Sequence, residues 1–232
     1  MKTSRLQEKL KNLDLDEIHR SVAAGKVPSE FTKIAELVFT GHFLVSSAAE
    51  SVKVYPTCIE FYWHEEQGGI KDYIVYHRNS GKSKPAIFLH GILHNHVSGI
   101  DLTFEQGDNP ESAIRASMLI REYKVVKNGK IISVEKRPTY LYEALYGRFS
   151  VFDGGFSIKW EEDENVHNTV SDANCTPRCN VARYIENDKG EIVKELAGES
   201  SDSRTANGKY VQDERQWRFI LLDDHDTRFR CQ

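Results

Sequence analysis

The sequence predicts an α+β protein: a single domain in which a curved, mainly antiparallel sheet is flanked by helices. Three observations carry that expectation. Helices dominate the beginning, over residues 5–41, while the middle of the chain is a succession of β-branched and aromatic runs separated by turn signals. An Asn-Gly pair at 128–129 joins two such runs with the spacing of a two-residue hairpin. A chain of 232 residues is long enough to bury a core of this kind in one unit.

The elements follow in order. Residues 5–25 place Leu6, Leu10, Leu13, Ile18 and Val22 near a three-and-four spacing, so a helix is expected within an N-terminal extension over 1–28. Ser29 reads as the N-cap of a second helix through EFTKIAELVFTG, closed by Gly41. Strands are expected at KVYPTCIEFYWH, AIFLHGILHNHV, GIDLTFE and ASMLIREYKVV, with a long loop, EEQGGIKDYIVYHRNSGKSKP, between the first two. After the hairpin into IISVEK, RPTYLYEALYGRF reads as a short helix, VFDGGFSIKW as a turn and strand, and QWRFILLDD as the last strand. Polar stretches at 161–174 and 197–215 read as surface insertions.

Composition narrows the function. A net charge of −4 with 28% charged residues is unlike a strongly basic nucleic-acid-binding domain, which leaves a local basic patch as the route to a polyanion. Cys58, Cys175, Cys179 and Cys231 are too few and too scattered for a disulfide framework, and the C-x3-C pair has no second pair to complete a zinc site. The charged N-terminus lacks an apolar signal core, and no apolar run approaches the roughly 20 residues of a membrane span. The expected setting is a reducing cytoplasm.

Three features could carry chemistry. In TCIEFYWHEE, alternation puts Cys58, Glu60 and Tyr62 on one strand face and Ile59, Phe61 and Trp63 on the other. A carboxylate beside a tyrosine, backed by an apolar face, can build a catalytic pocket; an exposed strand edge is the plainer alternative. In FLHGILHNHVSGIDL, alternation places His90, His94 and His96 on one face, superficially like a metal site. No Asp, Glu or His set of comparable spacing completes it, and Asp101 falls on the opposite face of an unbroken strand. In MLIREY, Arg121 ends an apolar strand, where a guanidinium pairs with a carboxylate or phosphate or simply rims the strand end.

Taken in order, these blocks resemble the alkyladenine (3-methyladenine) DNA glycosylase family, methylpurine glycosylases with a formyltransferase-C-terminal-like fold. LVFTGHFLV leading to CIEFY looks like the family's LLGKxL helix leading to ETEAY. YIVYHR, IFLHGILHNHVSGIDL and MLIREY follow where the family has a histidine-bearing loop, an aromatic strand near MNI, and LLRA. RPTYLYEAL is similar to GPGKLxxAL, and TPRCNVARY…QWRFI to GPRIGV…PWRFY, so the resemblance spans about residues 35–225.

The resemblance implies roles. Glu60 matches the catalytic general base that activates water for attack at C1′ of a flipped nucleotide, and Arg121 the arginine that orients that water. Tyr62 matches the tyrosine that stacks on the extruded base, and His77 the pocket histidine, although it lies further from Tyr62 than in the family. Asp101 falls where many members carry a purine-discriminating asparagine. His94 falls at the tyrosine that wedges into the duplex. The second stacking tyrosine falls near Gly91, with Phe88 or His90 as the substitute on that pocket wall. The family's TPRNR segment is missing; Arg78, Lys82 and Lys84 stand in that region as phosphate contacts or as a solvated loop, and Arg178 fits an arginine that is DNA-facing or structural. The implied protein is a monofunctional, monomeric hydrolase of alkylated purines in damaged duplex DNA, without cofactor or metal. Two other readings remain open: a non-catalytic nucleobase-binding or nucleic-acid-binding module on the same fold, and a metallohydrolase using His90, His94 and His96.

Overall fold

The computed structural model describes residues 3–72, 74–75, 86–152, 154–164, 166–179, 181–186, 192–195 and 209–222. The expected first helix is two helices, α1 (Arg5–Lys11) and α2 (Leu15–Ala23). The break follows from capping. Ser4 Oγ accepts the Gln7 N–H at 3.0 Å and the Asp14 carboxylate accepts the Glu17 N–H at 3.0 Å, so each helix starts on its own side-chain acceptor. In α3 (Ser29–Phe39), Ser29 is the first helical residue rather than the cap, and Pro28 precedes it. The orphan N–H groups of Ser29 and Glu30 donate instead to the Glu17 carboxylate, at 2.9 and 3.3 Å. A carboxylate from α2 thus caps α3 and complements its dipole.

Gly41 does not close α3; it opens β1 (Gly41–Ser46), a strand missed in the sequence. A Cβ there would lie 2.3 Å from the Trp160 ring, so the close approach of two strands requires glycine. The other strands are β2 (Ser51–Glu65), β3 (Leu93–His96), β4 (Gly99–Thr103), β5 (Ile114–Lys127) and β6 (Lys130–Glu135). After a 3-10 turn at Pro138–Tyr140 come α4 (Leu141–Tyr146), β7 (Ser157–Glu162), β8 (Cys175–Thr176), β9 (Ala182–Glu186), β10 (Ile192–Glu195), β11 (Lys209–Gln212) and β12 (Arg218–Ile220).

The main sheet is antiparallel and curled, in the order β3-β4-β5-β2-β1-β7. β12 joins the upper half of β2 beside β1 and also pairs β8, β6 joins β5, and β10-β9-β11 form a separate small sheet. The β5–β6 connection is the expected Asn-Gly hairpin, with φ of 50° at Asn128 and 75° at Gly129 as a two-residue primed turn demands. The stretch 86–97 is not one strand. A turn at His90–Gly91, with φ of 88° at Gly91, leaves Leu93–His96 to form β3, and the chain reverses at Val97–Ser98 into β4.

The core lies between one face of this sheet and the helices. Ile59, Phe61 and Trp63 of β2, Met118 and Ile120 of β5, and Phe219 of β12 meet Phe31, Ile34, Ala35 and Val38 of α3, all buried. Phe31 stacks on Phe61 with ring centroids 4.4 Å apart, and Trp217 meets Phe31 edge-on at 5.4 Å. Leu6, Leu10 and Ile18, from the helical segment 1–28, are part of this core. The polar stretch 161–174 is anchored to the core: Asn168 Nδ2 donates to Phe39 O at 2.6 Å, and Val166 and Val170 are buried. In 197–215, residues 209–212 form β11 and Asp213 is buried, while 197–208 lie outside the described residues. Among the described residues no helix is long and apolar enough to cross a membrane.

Candidate functional site

The other face of the sheet is polar. Register defines it: Glu60 of β2 is paired with Leu119 of β5, which is paired with Asp101 of β4, and Tyr62 is paired with Ser117, which is paired with Thr103. Cross-strand partners share a face, so Glu60, Tyr62, Ser117 and Asp101 look the same way, opposite to the core aromatics. On the far side, β12 sets Arg218 directly against Glu60. The alternation expected for Cys58, Glu60 and Tyr62 is therefore the one observed.

Glu60 is fully buried, not a strand-edge residue. Tyr62 Oη donates to its Oε2 at 2.9 Å and the Cys179 backbone N–H donates to its Oε1 at 2.8 Å. Arg121 Nη1 lies 3.5 Å from Oε2 and Arg218 Nε lies 3.9 Å from Oε1. Burial and the charge of Glu60 push the Tyr62 phenol well above its usual range, which keeps it protonated as a donor.

Arg121 reaches Glu60 because of a bulge. Cys58 pairs with Glu122 and Ile59 with Ile120, so Arg121 is the extra residue on β5. A bulge of this type turns successive side chains toward one face. Both contacts bear this out: Arg121 reaches Glu60, while Glu122 Oε1 accepts from Arg218 Nη2 at 3.2 Å. Arg218 also donates to two sulfurs, Cys58 Sγ at 3.2 Å through Nε and Cys179 Sγ at 2.9 Å through Nη1. Burial pushes the Cys58 thiol up to about 12, so it meets the guanidinium as a thiol.

Asp101 corrects an expectation. It was placed opposite the histidines on an unbroken strand; the reversal at Val97–Ser98 instead pairs it with His94 and brings it onto their face. Ser117 Oγ donates to Asp101 Oδ2 at 2.9 Å. His96 Nδ1 accepts the Ser98 N–H, which leaves Nε2 to donate to Asp101 Oδ1 at 3.0 Å. Two buried carboxylates, Glu60 and Asp101, thus stand two strand spacings apart, about 10 Å.

His90 is not brought to this face. It sits in the turn before β3, where burial and the positive charge of Lys11 in α1 lower its pKa. His94 is half-buried against Phe88, at 4.7 Å, and does not stand at the hairpin tip; the tip residue Val97 is 82% exposed. Arg178 is not available to DNA. It is 1% exposed, donating to Asp72 Oδ2 and Asp213 Oδ2 at 2.6 Å each and to Phe61 O at 3.1 Å. Its guanidinium also lies 4.8 Å over the Tyr62 ring. A guanidinium so placed is a strut beneath the site. His77, Arg78, Lys82 and Lys84 lie outside the described residues.

Among the described residues no group of three or more His, Cys, Asp or Glu side chains is arranged to hold a metal ion. The sequence reading missed Arg218 and Ser117; it named Cys179 only as half of an incomplete zinc pair and His96 only within the histidine strand. Arg218 carried the same signal as Glu60, a charge between two large apolar side chains in a strand: Trp217 and Phe219 here, Ile59 and Phe61 there. No family model, curated protein or solved structure matches the chain.

Proposed function

We propose that the chain is a monofunctional DNA glycosylase that hydrolyses the N-glycosidic bond of alkylated purines such as 3-methyladenine. The observation that carries this is the Glu60 carboxylate, fully buried, hydrogen-bonded by Tyr62 and flanked by Arg121, at the position that resembles the family's catalytic glutamate. In the reaction, the bond between C1′ and the base nitrogen breaks with its electron pair leaving on the base. Water adds its oxygen to C1′, and Glu60 takes the water proton. The same carboxylate opposes the positive charge that develops on the sugar. The products are an abasic site and a free base.

Arg178 covers one face of Tyr62, so a flipped base stacks on the other. A cationic alkylated purine gains about 0.5–2 kcal/mol there as a cation–π contact. Asp101, a buried carboxylate on the same face, supplies acceptors that suit the N–H groups of a positively charged base. At the hairpin tip, exposed Val97 takes the wedge role in place of His94. On this reading the protein is a cytoplasmic monomer that acts on damaged duplex DNA without cofactor or metal.

Incubation with methylated duplex is expected to release free 3-methyladenine, with Glu60→Gln slower by about 100-fold or more. No release by the wild type, or full rate in Glu60→Gln, would falsify the proposal. One observation favours a second reading, a nucleobase-binding module without hydrolysis: the burial of Arg178 removes an expected phosphate contact from a chain of net charge −4. That reading predicts binding of a free methylated purine with no base release.

A further inference from the structure

We propose that one end of the main sheet, formed by the β1–β2 turn, the β5–β6 hairpin tip and the loop 148–156, docks on the surface of an anionic membrane, lying on it without crossing it. Three sets of contacts bring these segments together. The Glu50 carboxylate, in the β1–β2 turn, takes ion pairs from Lys127 at the end of β5 and from Arg148. Lys53, near the start of β2, is paired with Val126, so the β1–β2 turn and the hairpin tip leave the sheet on the same side. Gly155 packs on Ala48, where a Cβ would meet the backbone at 3.3 Å, and Ser157 is already paired with Ser46.

This end projects apolar side chains into water. Val151 is 76% exposed and Phe152 95%; Phe149 beside them is exposed, as are Ile131 and Ile132 just past the hairpin tip. Of the twelve large apolar side chains exposed among the described residues, eight fall within residues 131–152, so this region departs from a surface of scattered apolar residues. Cations surround them. Residues 46–53, 126–132 and 148–156 hold Lys53, Lys127, Lys130 and Arg148 against Glu50 and Asp153, an excess of +2 in a chain of net charge −4. Lys127 and Arg148 share Glu50, whereas Lys53 and Lys130 are exposed and make no ion pair among the described residues.

The mixture selects the occupant. A nucleic acid would neutralise the cations and leave Ile131, Ile132 and Val151 in water. A second copy, docked about a two-fold axis through this end, would set the excess charge against an identical one. An added peptide strand needs a regular edge, and β6 is bulged: Val125 pairs with Ser133 and Val126 with Ile131, which leaves Ile132 as an extra residue. A bilayer meets both requirements, because anionic headgroups take the cations while the apolar tips enter the acyl boundary. This surface is separate from the Glu60 site, which lies nine residues along β2 from Ser51, about 30 Å.

The probes are vesicles of phosphatidylcholine alone and of phosphatidylcholine with an equal part of phosphatidylserine, read by flotation of the full chain. Binding to the mixed vesicles is expected to be about 20-fold tighter, at roughly fivefold for each net cation. Val151→Ser with Phe152→Ser keeps the charge and is expected to weaken that binding by about tenfold or more. Lys53→Glu with Lys130→Glu keeps the apolar tips and is expected to remove the preference. Phe152→Trp reports insertion as a blue shift of the added emission, and an unchanged melting temperature shows each variant to be folded. No binding of the wild type to mixed vesicles, undiminished binding by the serine variant, a preference that survives charge reversal, or no blue shift overturns the proposal. So does oligonucleotide binding or self-association that these substitutions remove while vesicles are ignored.

Discussion

Replacing Arg178 with methionine separates a buried strut from a DNA contact. The guanidinium is 1% exposed and balances two carboxylates, Asp72 and Asp213, themselves 2% exposed each. Burial opposes its charge, but the two aspartates outweigh that and hold the pKa above the usual arginine value. Arg215 is a further partner of both aspartates, yet one cation cannot neutralise two buried anions. Methionine fills much of the volume and leaves an uncompensated charge, a change that costs about 3–5 kcal/mol. With an unfolding entropy of about 2 cal/mol/K per residue, a chain of this length gains or loses about 0.5 kcal/mol per degree, so the melting temperature should fall by about 6–10 °C. Calorimetry of wild type and Arg178→Met measures this directly. A loss below about 1 kcal/mol, with weakened duplex binding, would refute the assignment and return Arg178 to the DNA surface.

Two further predictions follow from the same packing. Stability should decline as pH rises from about 9 towards 12. Burial pushes the Cys58 thiol up to about 12 and holds Tyr62 well above its ordinary value. The unfolded chain therefore releases these protons first and binds fewer in that window, which makes the slope negative. For Cys58 the upper bound is about 4 kcal/mol; urea midpoints should show a shallower decline in Cys58→Ala, and a flat wild-type profile counts against the burial argument. Gly41→Ala places a methyl 2.3 Å from the Trp160 ring and should cost about 1–3 kcal/mol, read as a lowered urea midpoint; an unchanged midpoint would mean that β1 and β7 separate without strain.

Elements whose signal is local were legible in the sequence. The Asn-Gly hairpin, the alternation of β2 and the apolar periodicity of α3 depend on residues within a few positions of one another, and each is where the pattern put it. What was hidden depends on distant pieces. Nothing beside Ser29 reveals that Glu17 caps α3, so Ser29 looked like the cap. β1 was obscured because Gly41 resembled a helix stop, and only Trp160 explains its presence. Face assignments failed where the chain bends: the turns at His90–Gly91 and Val97–Ser98 removed His90 from the expected histidine face and moved Asp101 onto it. Arg121 was found beside its carboxylate, but the bulge that also turns Glu122 that way shows only in the register with β2.

The cost of the polar face argues that it is used. Glu60 sits within a sheet whose other face is an aromatic core, Arg178 lies in the chain just after β8, and each needs several partners to be tolerated there. Buried ionic clusters are seldom the most stable filling for such a space, since well-packed apolar residues of similar volume are often neutral or better by about 1–4 kcal/mol. A purely structural role therefore leaves Glu60, Tyr62 and Arg121 without a reason, whereas a site that must hold a carboxylate against a reacting sugar requires them. Arg178 then acquires its place in the same scheme. By sitting beneath Tyr62 and anchoring to Asp72 and Asp213, it fixes the ring on which, in the proposed function, an extruded base stacks.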